Sequence, residues 1–222
     1  FQASHDYDGA IENYEACETP NVYDNTRHCY LADTWEYDGA NWQEIQGTGA
    51  ELYTGGNQLA RANHGLVYDS IRGVTVAFGG AYARYDEGDA KTWEYDGSMW
   101  ILRDDYLEDP EGDGHPSDRQ DLAMTFDTAQ GLTILHGGAE GGVLADVWAY
   151  DGNSWRELSI SDLENDGHPS AREKHCLGYD EARGQTVVFG GRFNSDTFPS
   201  DTWALNTNYF DGILSVPLQQ IE

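Results

Sequence analysis

Short runs of alternating apolar and polar residues recur along the chain, rich in aromatic and β-branched side chains, and no segment sustains a helical period. Val74–Phe78 and Thr186–Phe189 read as strands. Tyr-Asp-x-x-Arg-Gly, at Tyr68 and again at Tyr179, reads as a turn between two strands. The pairs Gly79-Gly80, Gly137-Gly138 and Gly190-Gly191 end second strands, where backbone passes close to backbone or takes positive φ. Asp-Gly after Tyr37, Tyr95 and Tyr150 marks a hairpin between a third and a fourth strand.

These elements repeat. Trp35, Trp93, Trp148 and Trp203 are spaced by 58, 55 and 55 residues, and the first three open the phrases TWEYDGANW, TWEYDGSMW and VWAYDGNSW. A second tryptophan follows at Trp42, Trp100 and Trp155, and Phe210 stands at that offset in the fourth copy. The blocks HGLVYDSIRGVTVAFGG, LAMTFDTAQGLTILHGG and HCLGYDEARGQTVVFGG precede the last three copies. Each unit is predicted to be a four-stranded antiparallel meander, which cannot bury its faces alone. Radial stacking of such units makes a β-propeller.

Blocks of strand, Gly-Gly, strand and Trp at this length resemble kelch repeats, over roughly Val22 to Gly212. The resemblance implies an all-β, kelch-type β-propeller of about four four-stranded antiparallel blades, either incomplete or part of a larger propeller. We divide the chain into a stub at 1–17, repeats at 18–48, 61–104, 119–158 and 172–212, and a tail at 213–222. The first repeat keeps Tyr23-Asp24-x-x-Arg27 and Asp33-Thr34-Trp35 but lacks Gly-Gly, and Tyr7-Asp8-Gly9 looks like the hairpin of another unit. The wording is closest to kelch-like proteins of environmental bacteria, which are mostly secreted or surface-bound, and this implies an extracellular or cell-surface location. A chain that begins at Phe1 rather than Met reads as a processed or excised segment.

Charge narrows the partners. The 222 residues carry 12 Lys+Arg against 40 Asp+Glu, a net charge of −28. Such a field repels phosphate backbones and anionic lipid surfaces, so neither nucleic acid nor membrane insertion is expected. No run of 18 apolar residues occurs. Cys17 and Cys29 close a short loop and are expected to form a disulfide in an oxidising compartment, leaving Cys176 as a thiol buried in a strand.

Candidate sites lie mostly in the linkers. Asp109, Glu111 and Asp113 precede Gly114, and Asp162, Glu164 and Asp166 precede Gly167 with Glu173 at position twelve. This spacing places oxygens on one side of a tight turn, as in calcium loops, and makes calcium the expected cofactor. A solvated acidic turn would be spelled the same way. His115 and His168 follow the two loops at one offset, each before Pro, and local hydrogen bonding is the reading preferred over a transition-metal site. Arg61, Arg119 and Arg172 recur at one position, with His64 and His175 three residues on. This regularity points to a structural role, with the arginines pairing acids between blades. Six of the seven tryptophans sit in pairs at fixed repeat offsets and are expected in the blade core. Tyr53, Tyr82, Tyr85 and Tyr106 fall outside the repeat and are the ligand-facing loop candidates.

No GxSxG elbow, HExxH or phosphate loop is present. The expected function is a secreted, non-catalytic binding or scaffold module that recognises protein or glycan through propeller loops such as Ala81–Ala90. A self-assembling extracellular subunit joined through terminal strands is the alternative, and a galactose-oxidase-like enzyme the third. Its copper set cannot be placed, since Cys176 beside His175 is only an echo of it.

Overall fold

The computed structural model describes residues 31–48, 59–81, 88–103, 114–161, 167–193, 197–206 and 215–220, and these form an all-β, propeller-type arrangement of blade-like sheets. The first blade has β1 (Thr34–Tyr37) and β2 (Trp42–Ile45) among the described residues. The second runs β3 (Gly65–Asp69), β4 (Val74–Phe78), β5 (Thr92–Tyr95), β6 (Trp100–Leu102). The third runs β7 (Ala123–Asp127), β8 (Leu132–His136), β9 (Val147–Tyr150), β10 (Trp155–Glu157). These two are antiparallel meanders in chain order, as the repeat predicts.

The fourth blade departs from the pattern. Its sheet holds β11 (Ser159–Ser161), β12 (Cys176–Asp180), β13 (Gln185–Phe189), β14 (Thr202–Asn206) and β15 (Ser215–Gln220), in the order β11-β15-β14-β13-β12. The tail strand β15 runs antiparallel to β14 and parallel to β11, so both its edges are paired within the chain. In the earlier blades the residue two after the strand-three tryptophan pairs with the second tryptophan: Tyr37 with Trp42, Tyr95 with Trp100, Tyr150 with Trp155. In the fourth blade Leu205 pairs with Leu218 instead. Phe210, expected in that register, lies outside the described residues; the strand comes from further along the chain.

The turns follow local chemistry. Asp69 Oδ1 accepts from the amides of Ile71 and Arg72 at 3.0 and 2.9 Å, and Asp127 Oδ1 accepts from Ala129 and Gln130 at 2.9 and 3.0 Å. Asp38, Asp96 and Asp151 do the same in the four-residue hairpin loops between third and fourth strands.

Blades join through the Gly-Gly pairs and the recurring arginines. Gly79 and Gly137 have φ of +68° and +63°, and a Cβ there would stand 2.7 and 2.5 Å from the carbonyl oxygens of Arg119 and Arg172 in the next blade. Those same carbonyls accept from the amides of Gly80 and Gly138 at 2.8 and 3.0 Å. The arginine side chains turn the other way, into their own blades. Arg119 forks onto Asp146 at 2.7 and 2.7 Å and reaches the Gly137 carbonyl; Arg172 forks onto Asp201 at 2.9 and 2.9 Å and reaches the Gly190 carbonyl. The acid partners therefore lie within one blade, not between blades as expected, because each arginine precedes strand one and its aspartate precedes strand three of the same sheet. Burial raises the carboxyl of Asp146, but the Arg119 guanidinium more than offsets this and holds it below the ordinary value.

Among the described residues, three apolar cores occupy three blade joints. Leu59, Ala77 and Trp93 serve the first; Phe78, Leu122, Trp148 and Trp155 belong to the second; Ile134, Val147, Val188 and Leu205 belong to the third. The tryptophans of the later blades are buried or half-buried, as expected. Those of the first are not: Trp35 is 48% and Trp42 61% exposed, on the side where the later blades meet a predecessor. Cys176 lies in β12 as expected but is exposed rather than buried.

Candidate functional site

The first two joints share one polar design. The threonine before the strand-three tryptophan accepts from the second tryptophan of the following blade: Trp100 Nε1 donates to Thr34 Oγ1 and Trp155 Nε1 to Thr92 Oγ1, each at 2.9 Å. The glutamate after that tryptophan accepts from the following blade's tyrosine: Tyr95 to Glu36 and Tyr150 to Glu94, each at 2.9 Å. Arg72 Nη1 also reaches Glu94, at 2.5 Å, and Arg103 Nε lies 3.5 Å away, so this partly buried carboxylate is well satisfied. Phe78 completes the second joint, meeting the Trp155 ring at 5.0 Å, edge on, and packing in one cluster with Leu122.

The third joint replaces every one of these parts. Val147 stands for Thr92, Ala149 for Glu94 and Leu205 for Tyr150, and Leu218 holds the strand position of the second tryptophan. His136 stands where Phe78 stands, and His175 where Leu122 stands. The two imidazoles meet across the joint, His136 Nδ1 to His175 Nε2 at 3.0 Å, with rings edge on at 4.9 Å.

Losing an indole and a phenol from one joint leaves space. A cavity of about 350 Å³ lies there. Its walls are mainly Ile134, Val147, Leu158, Leu177, Val188 and Leu205. His136, 1% exposed, also lines it, and its Nε2 has no protein hydrogen-bond partner. Thr186 Oγ1, in the lining, is likewise unpartnered, but so is Thr133 Oγ1 at the matching position of the third blade, so of these two lining atoms the imidazole nitrogen is the one without a counterpart at the earlier joint. Glu157, Ser159 and His168 are the exposed residues of the lining, together with Ala145. A mainly apolar cavity at the lower end of the size range of small-molecule sites, with a buried unpartnered imidazole among its lining residues, is the best candidate for a ligand pocket among the described residues.

Both histidines are neutral at physiological pH. Burial, then His175 and the Arg172 guanidinium, push His136 down to about 3; burial and Arg172 push His175 down to about 4. A base that weak abstracts protons poorly at neutral pH, and the ring is suited to hydrogen bonding instead. In a neutral pair one nitrogen of the contact donates and the other accepts, so His136 Nε2 offers a lone pair in one tautomer and an N–H in the other.

Of the residues singled out in the sequence, Asp109, Glu111, Asp113, Asp162, Glu164, Asp166, Cys17, Cys29, Tyr53, Tyr82, Tyr85 and Tyr106 lie outside the described residues. Glu173 is buried and paired with Arg192 Nε at 2.5 Å. His115 Nδ1 contacts the Pro116 carbonyl at 3.1 Å, the local role preferred for it. Among the described residues no group of three or more His, Cys, Asp or Glu side chains is placed to hold a metal. His136 was not singled out; its signal is the change from FGG to HGG in the second-strand block.

Comparisons with known proteins bear on the fold. No protein-family model matches the chain. Mei4-dependent protein 6 of Schizosaccharomyces pombe is 28% identical over 142 residues, which are 59% of this chain and 19% of that protein. The solved structure of YjhT superposes with a TM-score of 0.55 at 13% identity, over 85% of this chain and 51% of that one. The chain thus spans about a fifth of the curated relative and about half of the solved structure, and it shares its propeller-type fold with the latter.

Proposed function

We propose that this chain is a kelch-type, non-catalytic binding module that acts outside the cell and holds a small ligand between its third and fourth blades. The cavity with the unpartnered, buried His136 Nε2 carries this reading. A buried polar atom without a partner costs about 1–3 kcal/mol, and a bound ligand that satisfies it recovers that cost. Support for the family is the repeat wording. Support for the location is the acid-rich composition and the Cys17/Cys29 spacing.

The test is a fragment library of mixed chemistry titrated into methyl-labelled protein. Ligands in the cavity are expected to shift the methyl signals of Ile134, Leu158 and Val188. A library in which no member shifts them overturns the reading.

Self-association is a second reading, favoured by the exposed face of the first blade. Tyr37, 54% exposed, and Trp42, 61% exposed, are the residues whose counterparts dock on a preceding blade at later joints. Concentration-dependent sedimentation of wild type and W42A tests it; one monomer mass for both removes it.

A further inference from the structure

Among the replacements at the joint that holds the cavity, the largest side chain lost is an indole that carried one N–H donor. At the second joint the Trp155 indole is packed against Phe78 and Tyr150, its rings stacked on the latter at 5.0 Å, and its Nε1 is hydrogen-bonded to Thr92. At the third joint Leu205 takes the tyrosine's place, Val147 the threonine's, and the tail strand brings Leu218 into register where the tryptophan stood. Among the described residues of the lining, His136 carries the one buried, unpartnered polar atom without a counterpart at the earlier joint, its Nε2, and it stands at the strand position of Phe78. The joint has thus lost two donor-bearing aromatics, an indole and a phenol, and gained an unpartnered imidazole nitrogen.

We propose that the cavity between the third and fourth blades takes an uncharged aromatic molecule with a single hydroxyl or N–H group, seated in place of the missing tryptophan and hydrogen-bonded to His136 Nε2. This rests on the reading of the cavity as a binding site and specifies its ligand.

Three observations define the class. The walls are aliphatic, so an aromatic body gains by burial. Charge is excluded in both signs. The Asp146 carboxylate in the lining is already engaged by Arg119 and by Trp148 Nε1 at 2.7 Å, and Glu157 is an exposed residue of the lining whose charge is solvated, so neither offsets the cost of burying a cation. An anion would enter past Glu157 into a molecule of net charge −28, toward an imidazole that stays neutral. The polar handle is assigned to His136 Nε2 because the other buried unpartnered atom of the lining, Thr186 Oγ1, has a counterpart in Thr133 Oγ1 at the earlier joint, which holds a tryptophan without using it. A hydroxyl matches either tautomer of the His136–His175 pair, since it both donates and accepts; an N–H matches the tautomer in which His136 Nδ1–H donates to His175 Nε2.

The experiment compares indole, p-cresol, p-xylene and benzoate by titration into protein labelled at methyl groups and histidine nitrogens. Indole and p-cresol are expected to shift the methyls of Val147 and Leu205 and to move the His136 Nε2 resonance. The p-xylene control should shift the methyls alone, and benzoate should shift neither. His136→Phe restores the residue of the preceding joint, and there the ratio of p-cresol to p-xylene affinity should fall about tenfold, the loss of one buried hydrogen bond. An unchanged ratio, or benzoate binding as well as p-cresol, overturns the proposal. Should His136→Phe not fold, the wild-type Nε2 resonance decides: movement with p-xylene equal to that with p-cresol overturns it. Other fragments shifting the cavity methyls while indole and p-cresol do not would sink the ligand class and leave the site standing. No fragment shifting them would sink both.

Discussion

At the scale of single residues, His136 and Arg119 show two ways of burying a polar group. Arg119 is 1% exposed and every contact around it is answered: Asp146 by a two-pronged bridge, the Gly137 carbonyl, the Ser117 carbonyl. Asp146→Ala should therefore cost about 3–5 kcal/mol in urea unfolding, because the guanidinium stays buried without its counter-charge. The double replacement Arg119→Met with Asp146→Leu should recover most of that loss; no recovery would mean the bridge supplies more than self-compensation. His136 is buried with one nitrogen unanswered, and its charge state carries a pH signature. Its folded value of about 3 lies below the ordinary 6.5, so as pH falls below about 6.5 the unfolded chain takes up the proton and the folded chain does not. Stability from this residue is full above that pH and is lost as pH falls toward the folded value. His136→Phe should thus lose about 2 kcal/mol less than wild type between pH 7 and pH 5. Parallel pH curves for the two proteins would contradict this. For Cys176, exposed on β12, thiol titration should find one reactive group in the native protein and still only one after denaturation, with Cys17 and Cys29 joined; three would remove the disulfide.

At the scale of elements, the last blade is built by the tail. β15 supplies the strand next to β14, with Trp203 opposite Gln220 and Leu205 opposite Leu218, and it also pairs with β11 at the end of the third blade. A strand bonded on both edges is part of the fold rather than a free arm for exchange. Deleting residues 213–222 should lower the melting temperature by several degrees and leave the mass of the particle unchanged. A variant that melts like wild type would show that β15 adds nothing to the sheet. The hairpin wording locates third and fourth strands well in the earlier blades, because Asp-Gly and its Asx hydrogen bonds act over four residues. It fails in the fourth blade because eight residues, 207–214, rather than four separate β14 from β15, and a signal carried by a four-residue turn does not report such a pairing.

At the scale of the whole molecule, net charge −28 on 222 residues makes self-repulsion a general destabiliser, which screening relieves. Melting temperature should rise with sodium chloride. Calcium at millimolar concentration should raise it further than magnesium does at matched ionic strength, given the linkers at Asp109–Asp113 and Asp162–Asp166. Equal gains from the two cations would reduce the effect to screening and remove the calcium sites. Glu173, the twelfth-position acid, is bonded to Arg192, so any ion at the second linker competes with that bridge.

The class and spacing of the blades are legible along the chain, because both arise from short-range rules: period-two alternation, Asp-capped turns, and glycine pairs where a neighbouring carbonyl comes within 3 Å of an imagined Cβ. The sequence also contained the parts of the third joint in plain sight, as TWEY giving way to VWAY and then to TWAL, and FGG to HGG. What those changes meant was decided only by tertiary structure. Glu94 and Tyr150 are 56 residues apart and His136 and His175 39, and only the stacking of one sheet on the next shows that these pairs face each other. The cavity is the outcome of several such replacements at one joint. A void belongs to no residue: it is the volume left when side chains from two sheets fail to meet, and that depends on the distance between the sheets.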